Sequence, residues 1–125
     1  MNLNFLRYGY VIATICFTVV GQLILKWRIQ TFGTLPIQPI EKIKAILMMV
    51  LDPVVILCFI AAFLASLTWM AALTKFNLNH IYPFMSLNFV LVIFLSAWLL
   101  SEPISLVKII GCLLIVMGSI VTAFG

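Results

Sequence analysis

The chain has 125 residues, of which 66 % are hydrophobic and 8 % charged, whereas an average soluble domain is roughly 45–50 % apolar and about 25 % charged. A globule this small cannot hide so much apolar surface from water, which excludes a soluble enzyme, a disordered tail and a nucleic-acid module. The net charge of +4 comes from seven Lys/Arg against three Asp/Glu; these sit mostly between apolar runs and point to anionic lipid headgroups as partners, with no nucleic acid.

The charges divide the chain into four apolar runs. Residues 8–25 between Arg7 and Lys26, 53–74 between Asp52 and Lys75, 81–101 between His80 and Glu102, and 109–125 after Lys108 carry no charge. A helix needs roughly 20 mostly apolar residues to cross the hydrocarbon core. The runs are continuous and do not alternate, and lipid cannot satisfy an open backbone. The fold class expected is therefore an all-α integral membrane four-helix bundle: one transmembrane domain, 1–125, with spans near 5–26, 53–74, 81–100 and 105–124. No small-x-small cleavage site follows the first run, so it reads as a span and not as a leader.

The first connection, 27–52, is the long one, and Gly33, Pro36 and Pro39 mark it as irregular. Its second half, Glu41 to Leu51, opens with charges and turns apolar. That pattern fits a helix that runs into the second span, with Pro53 as a kink, or a short helix on the membrane surface. Pro83 fits a first helical turn, and Pro103 separates the last two spans. Lys26, Arg28, Lys42, Lys44 and Lys108 share one side against Arg7 and Lys75 on the other, which by the positive-inside rule puts both termini outside the cytoplasm.

Polar side chains inside a span are costly unless they face a partner or a wet cavity. In the first span Thr14, Thr18, Gln22 and Lys26 recur every four residues and form one slowly drifting stripe. The threonines suit helix–helix contact or a substrate path. Gln22 and Lys26 together suit an anionic, hydroxyl-rich group. In the third span Tyr82 and Ser86 share a face and Asn88 points elsewhere; Asn88 either ties two helices together or touches a ligand. Ser66, Thr68 and Trp69 form a weaker set in the second span. In the fourth, Gly111, Gly118 and Gly125 recur every seven residues beside Ser119 and Thr122, a smooth stripe for packing within the chain or between chains.

Cys16, Cys58 and Cys112 each lie inside an apolar run and read as small hydrophobes. His80 stands alone at a helix start and reads as structural. No acid lies in the middle of any span, and the sequence offers no phosphate loop, metal cluster or Ser/His/Asp set. No catalytic residue, metal or cofactor is therefore expected.

Val20-Gly21-Gln22-Leu23-Ile24-Leu25-Lys26, Ile81-Tyr82-Pro83-Phe84-Met85-Ser86-Leu87-Asn88-Phe89-Val90, Ser101-Glu102-Pro103 and the glycine-bearing last span resemble the drug/metabolite transporter superfamily. Within it the chain is similar to the small multidrug resistance-like branch, and most of all to the small subunits of the undecaprenyl phosphate–aminoarabinose flippase. That resemblance implies flippase-type movement of a polyprenyl-phosphate-linked aminosugar across the bacterial inner membrane, by a homodimer or by a heterodimer with a second four-helix subunit. It marks Gly21, Gln22, Lys26, Tyr82, Pro83, Ser86, Asn88, Glu102 and Pro103 as motif positions. The alternative it leaves is an exporter of cationic or small metabolites. Drug exporters of this branch carry a glutamate where this chain has Thr18, which argues against proton/drug antiport. Asn77 and His80 also depart from the family pattern.

Overall fold

A computed structural model describes residues 2–125, with side chains from residue 6 onward; Met1 lies outside the described residues. The elements in chain order are α1 (Asn2–Gln30), α2 (Pro39–Val50), α3 (Pro53–Leu73), α4 (Leu78–Ile81), a 3-10 segment (Tyr82–Ser86), α5 (Leu87–Leu99) and α6 (Leu106–Phe124). Among the described residues four stretches are long and apolar enough to cross a bilayer: Leu6–Gln30, Pro53–Leu73, Leu78–Leu99 and Leu106–Phe124.

α1 outruns the span expected from sequence by a turn, because Lys26 and Arg28 do not stop a helix whose last turn favours a cation. It ends where Gly33 adopts the left-handed φ of 79°. α2 and α3 are separate helices, so Pro53 does not kink a continuous rod. The chain breaks at Leu51-Asp52, Pro53 takes a first-turn position where its missing N–H costs little, and Asp52 caps α3 by accepting from the amides of Val54 (3.1 Å) and Val55 (3.3 Å). Arg28 closes this corner, donating to both Asp52 oxygens at 2.9 and 2.7 Å. The guanidinium also lies 5.5 Å from the Phe32 ring centroid.

The third span begins earlier than residue 81. α4 starts at Leu78, which leaves Pro83 inside the helical stretch and not at its opening. Proline has no N–H to give the preceding turn, and the chain answers by tightening to 3-10 geometry over Tyr82–Ser86 before α5 resumes. The last turn of α5 closes on the Ser96 carbonyl, which receives the amides of Leu100 and Glu102, while Ser101 takes a left-handed φ of 56°. Pro103 follows, and Ser105 caps α6 through the Lys108 amide, 3.2 Å away.

Val11, Ile15, Val19 and Leu23 form the buried stripe of α1, and Ala72 of α3 and Ile81 of α4 complete the core. Around it pack Trp69, Phe76, Phe84, Met85 and Leu87. Large apolar side chains such as Phe63, Met70, Trp98, Leu114 and Phe124 face outward, as they must where lipid, not water, surrounds the bundle. His80 has the structural surroundings expected of it: its Nε2 lies 3.4 Å from the Tyr8 hydroxyl, and its ring stacks on Phe76 with centroids 5.8 Å apart.

Candidate functional site

A groove of about 300 Å³ runs between α1 and α3. Thr14, Thr18, Gly21 and Gln22 line it from α1, and Ala62, Ser66 and Trp69 from α3; Met85 closes it from the 3-10 segment. Thr14, 2 % exposed, also meets Thr68 of α3, the two hydroxyl oxygens lying 2.6 Å apart. Thr18 is half-buried and Gln22 exposed. The stripe thus emerges from the core as it travels along α1.

Two further depressions adjoin the groove. One, of about 600 Å³, is lined by Trp69, Asn79, Tyr82, Pro83, Met85, Ser86, Asn88 and Phe89. The other, of about 300 Å³, lies between Thr18 and Gln22 on α1 and Asn88, Phe89, Val92 and Ile93 on α5. Shared walls make the three one continuous path: Trp69 and Met85 belong to the first and second, and Asn88 to the second and third. The path carries amides and hydroxyls, and none of its lining residues is charged.

The EamA-like transporter family matches residues 3–124 of the chain. The chain belongs to that family. It is 46 % identical over 54 residues to the probable 4-amino-4-deoxy-L-arabinose-phosphoundecaprenol flippase subunit ArnE of Sodalis glossinidius, a match that covers 43 % of this chain and 49 % of that protein. It is 32 % identical over 116 residues to the probable 4-amino-4-deoxy-L-arabinose-phosphoundecaprenol flippase subunit ArnF of Yersinia enterocolitica, which covers 89 % of this chain and 88 % of the relative. No solved structure matches the chain. Four apolar helices in an EamA-like transporter make it a multi-pass membrane protein.

In this EamA-like bundle, Thr14, Thr18, Gln22, Tyr82, Ser86 and Asn88 all line the path, but Lys26 does not. A four-residue step turns an α-helix about 40° past a full circle, so three steps from Thr14 carry Lys26 roughly 120° off the face. It is exposed. Gly21 also lines the groove, Pro83 walls the larger depression, and Glu102 and Pro103 lie beyond α5, outside the path.

The helical period separates Asn88 from Tyr82, yet the structure brings both into one depression. With 3.0 residues per turn, positions three apart eclipse in the 3-10 segment, and Tyr82 and Met85 line up with Asn88 just beyond. Met85 is the wall residue that sequence reasoning missed; its place depends on this local winding. Asn88 makes no helix tie within the described residues. Its Oδ1 is buried with no hydrogen-bond partner among them. Ser86 does make a tie: its hydroxyl donates to the Pro83 carbonyl at 2.5 Å and meets the Ser119 hydroxyl of α6. On α6 Ser119 therefore faces inward, whereas Gly118 and Thr122 are exposed, and a Cβ added at Gly111 or Gly118 would meet nothing within 4 Å.

Proposed function

We propose that this chain is one subunit of a flippase that carries a polyprenyl-phosphate-linked aminosugar between the leaflets of the bacterial inner membrane, performing no covalent chemistry. The observation that carries the reading is the uncharged, partly open path between α1, α3 and α5, largely apolar and set with hydroxyls and amides. A lipid-linked head must cross hydrocarbon while its tail stays in lipid, which calls for a lateral groove and not a closed cage. Uncharged hydroxyls and amides can replace water around phosphate and sugar without gripping either permanently. The similarity to the ArnE and ArnF relatives supports the same reading.

On this reading the whole chain forms one transmembrane domain. Thr14, Thr18, Gln22, Tyr82, Ser86 and Asn88 line the substrate path, and Lys26 offers a phosphate its first contact at the headgroup level. One chain has too few helices to enclose the path. The open face of α6 at Gly111, Gly118 and Thr122 is where a second four-helix subunit, a like chain or a relative, would pack.

The test is transport of a polyprenyl-phosphate aminosugar in proteoliposomes holding the purified membrane complex. Gln22→Ala is expected to slow translocation at least tenfold with the protein still folded, since Gln22 is exposed and packs no core. Undiminished transport by Gln22→Ala, or no transport by the wild type, overturns the assignment.

A further inference from the structure

We propose that α2 lies along the membrane surface as an anchor, its apolar stripe sunk between headgroups and acyl chains and its lysines on anionic phospholipid headgroups. The inference needs only the membrane setting and holds whether or not the chain is a flippase subunit.

α2 has 12 residues and buries none of them. A helix of that length is marginal in water by itself, so its stability calls for a surface outside the chain. Ile40, Ile43, Leu47 and Val50 fall within about 80° of its circumference, and all four are exposed. Ala45 and Met49, its half-buried residues, lie on the far side. The apolar stripe therefore faces away from its own chain.

Depth and charge decide what covers the stripe. α3 has 21 residues, about 31 Å at 1.5 Å per residue, and crosses the hydrocarbon core of about 30 Å without help from α2. The Arg28–Asp52 pair stands at the start of α3. Next to Arg28 in the chain is Trp27, which is exposed and of a type favoured at the membrane–water interface. Leu51 alone separates α2 from Asp52. α2 therefore joins the bundle at headgroup depth, where a helix can lie with acyl chains under one side and water over the other.

Lys44 and Lys42 fall on the two sides of the stripe, and Glu41 falls opposite it. Lysines so placed run their stems along apolar surface and set the ammonium among headgroups. Arg28 and Asp52 neutralise each other, which leaves residues 26–52 with Lys26, Lys42 and Lys44 against Glu41. That excess complements anionic lipid.

Hydrogen exchange of the full chain in nanodiscs tests this, with the α2 amides read against those of α3. Discs of phosphatidylcholine are compared with discs of phosphatidylcholine mixed with phosphatidylglycerol. The anionic lipid should slow α2 exchange about 25-fold, about fivefold for each flanking lysine, and leave α3 unchanged. Lys42→Gln with Lys44→Gln should remove that difference and keep the protection common to both lipids. Ile43→Gln with Leu47→Gln should remove the common protection. None of these four side chains is buried, so the bundle is expected to fold in each variant, and α3 protection verifies it. Equal α2 protection of the wild type in the two lipids, or full protection retained by the Ile43→Gln and Leu47→Gln variant, overturns the proposal. So does an α2 that is protected only when a second subunit shares the disc, which would make the stripe a protein interface.

Discussion

The two sides of this bundle are built to different tolerances. Along the α1–α3 seam the backbones come close at Gly21, where an added Cβ would lie 3.4 Å from the Ala61 Cβ and 3.6 Å from the Cys58 carbonyl oxygen. Val11, Thr14, Ile15, Val19 and Leu23 on one helix and Val55, Cys58, Ala65 and Ala72 on the other are buried. α6 buries only Cys112, and its Gly111 and Gly118 face open space. In lipid no hydrophobic force draws helices together, and small residues matter only where a neighbour can use them. The seam is therefore complete within one chain, while the Gly111 and Gly118 face of α6 meets no close neighbour in it.

The sharpest way to break this comparison is to put the same large residue on each side. Gly21→Leu should force α1 and α3 apart, at about 1–3 kcal/mol for overpacking, and lose most transport because the groove lies along the same line. Gly21→Ala, whose contacts would be ordinary van der Waals distances, should be tolerated. Gly118→Leu should leave the thermal stability of the isolated chain unchanged in detergent and weaken assembly of the complex. If Gly118→Leu destabilises the isolated chain as much as Gly21→Leu does, the asymmetry between the two sides is wrong.

Much of this is legible in the sequence. Charge gaps give the four spans because charges are expelled from hydrocarbon, and the four-residue spacing gives the Thr14–Thr18–Gln22 face because it follows the helical period. Lys26 fits the spacing but not the face, since the small error per turn accumulates. Pro83 reads as a helix start when Asn77 to His80 look like a loop. Once α4 forms, the same proline becomes an interior residue, and the tightened winding sets Met85 and Asn88. Asp52 reads as a span boundary; nothing near it in sequence names Arg28, 24 residues away, as its partner.

That corner makes the seam sensitive to acid. The Arg28 guanidinium, by its hydrogen bonds first and its charge besides, holds the Asp52 carboxylate below the usual carboxylate range, and the Val54 and Val55 amides add to this. A carboxylate with a depressed pKa in the folded state contributes stability that is fully present above its ordinary value and is lost as pH falls through the folded one. The melting temperature in detergent should thus hold near neutrality and drop at low pH. Asp52→Asn should lower the neutral value and flatten the acid limb. An acid limb as steep in Asp52→Asn as in the wild type would remove the corner from the account of the seam.

The smallest effect lies at the seam's polar contact. Thr14 can donate to the Tyr10 carbonyl (2.8 Å) and Thr68 to the Ala65 carbonyl (2.9 Å), and the two hydroxyls meet at 2.6 Å. Two protons cannot fill three bonds at once, so one hydroxyl bonds its partner while the other stays with its own backbone. Interhelical hydrogen bonds in membranes average about 0.6 kcal/mol in double-mutant cycles, because the separated helices also find partners. Thr14→Val and Thr68→Val should each cost about that much, and the double variant little more than either alone, since removing one hydroxyl already breaks the pair. A coupling near zero in that cycle would mean the seam is held by the fit at Gly21 and Ala61 alone, with the threonines free to serve the groove.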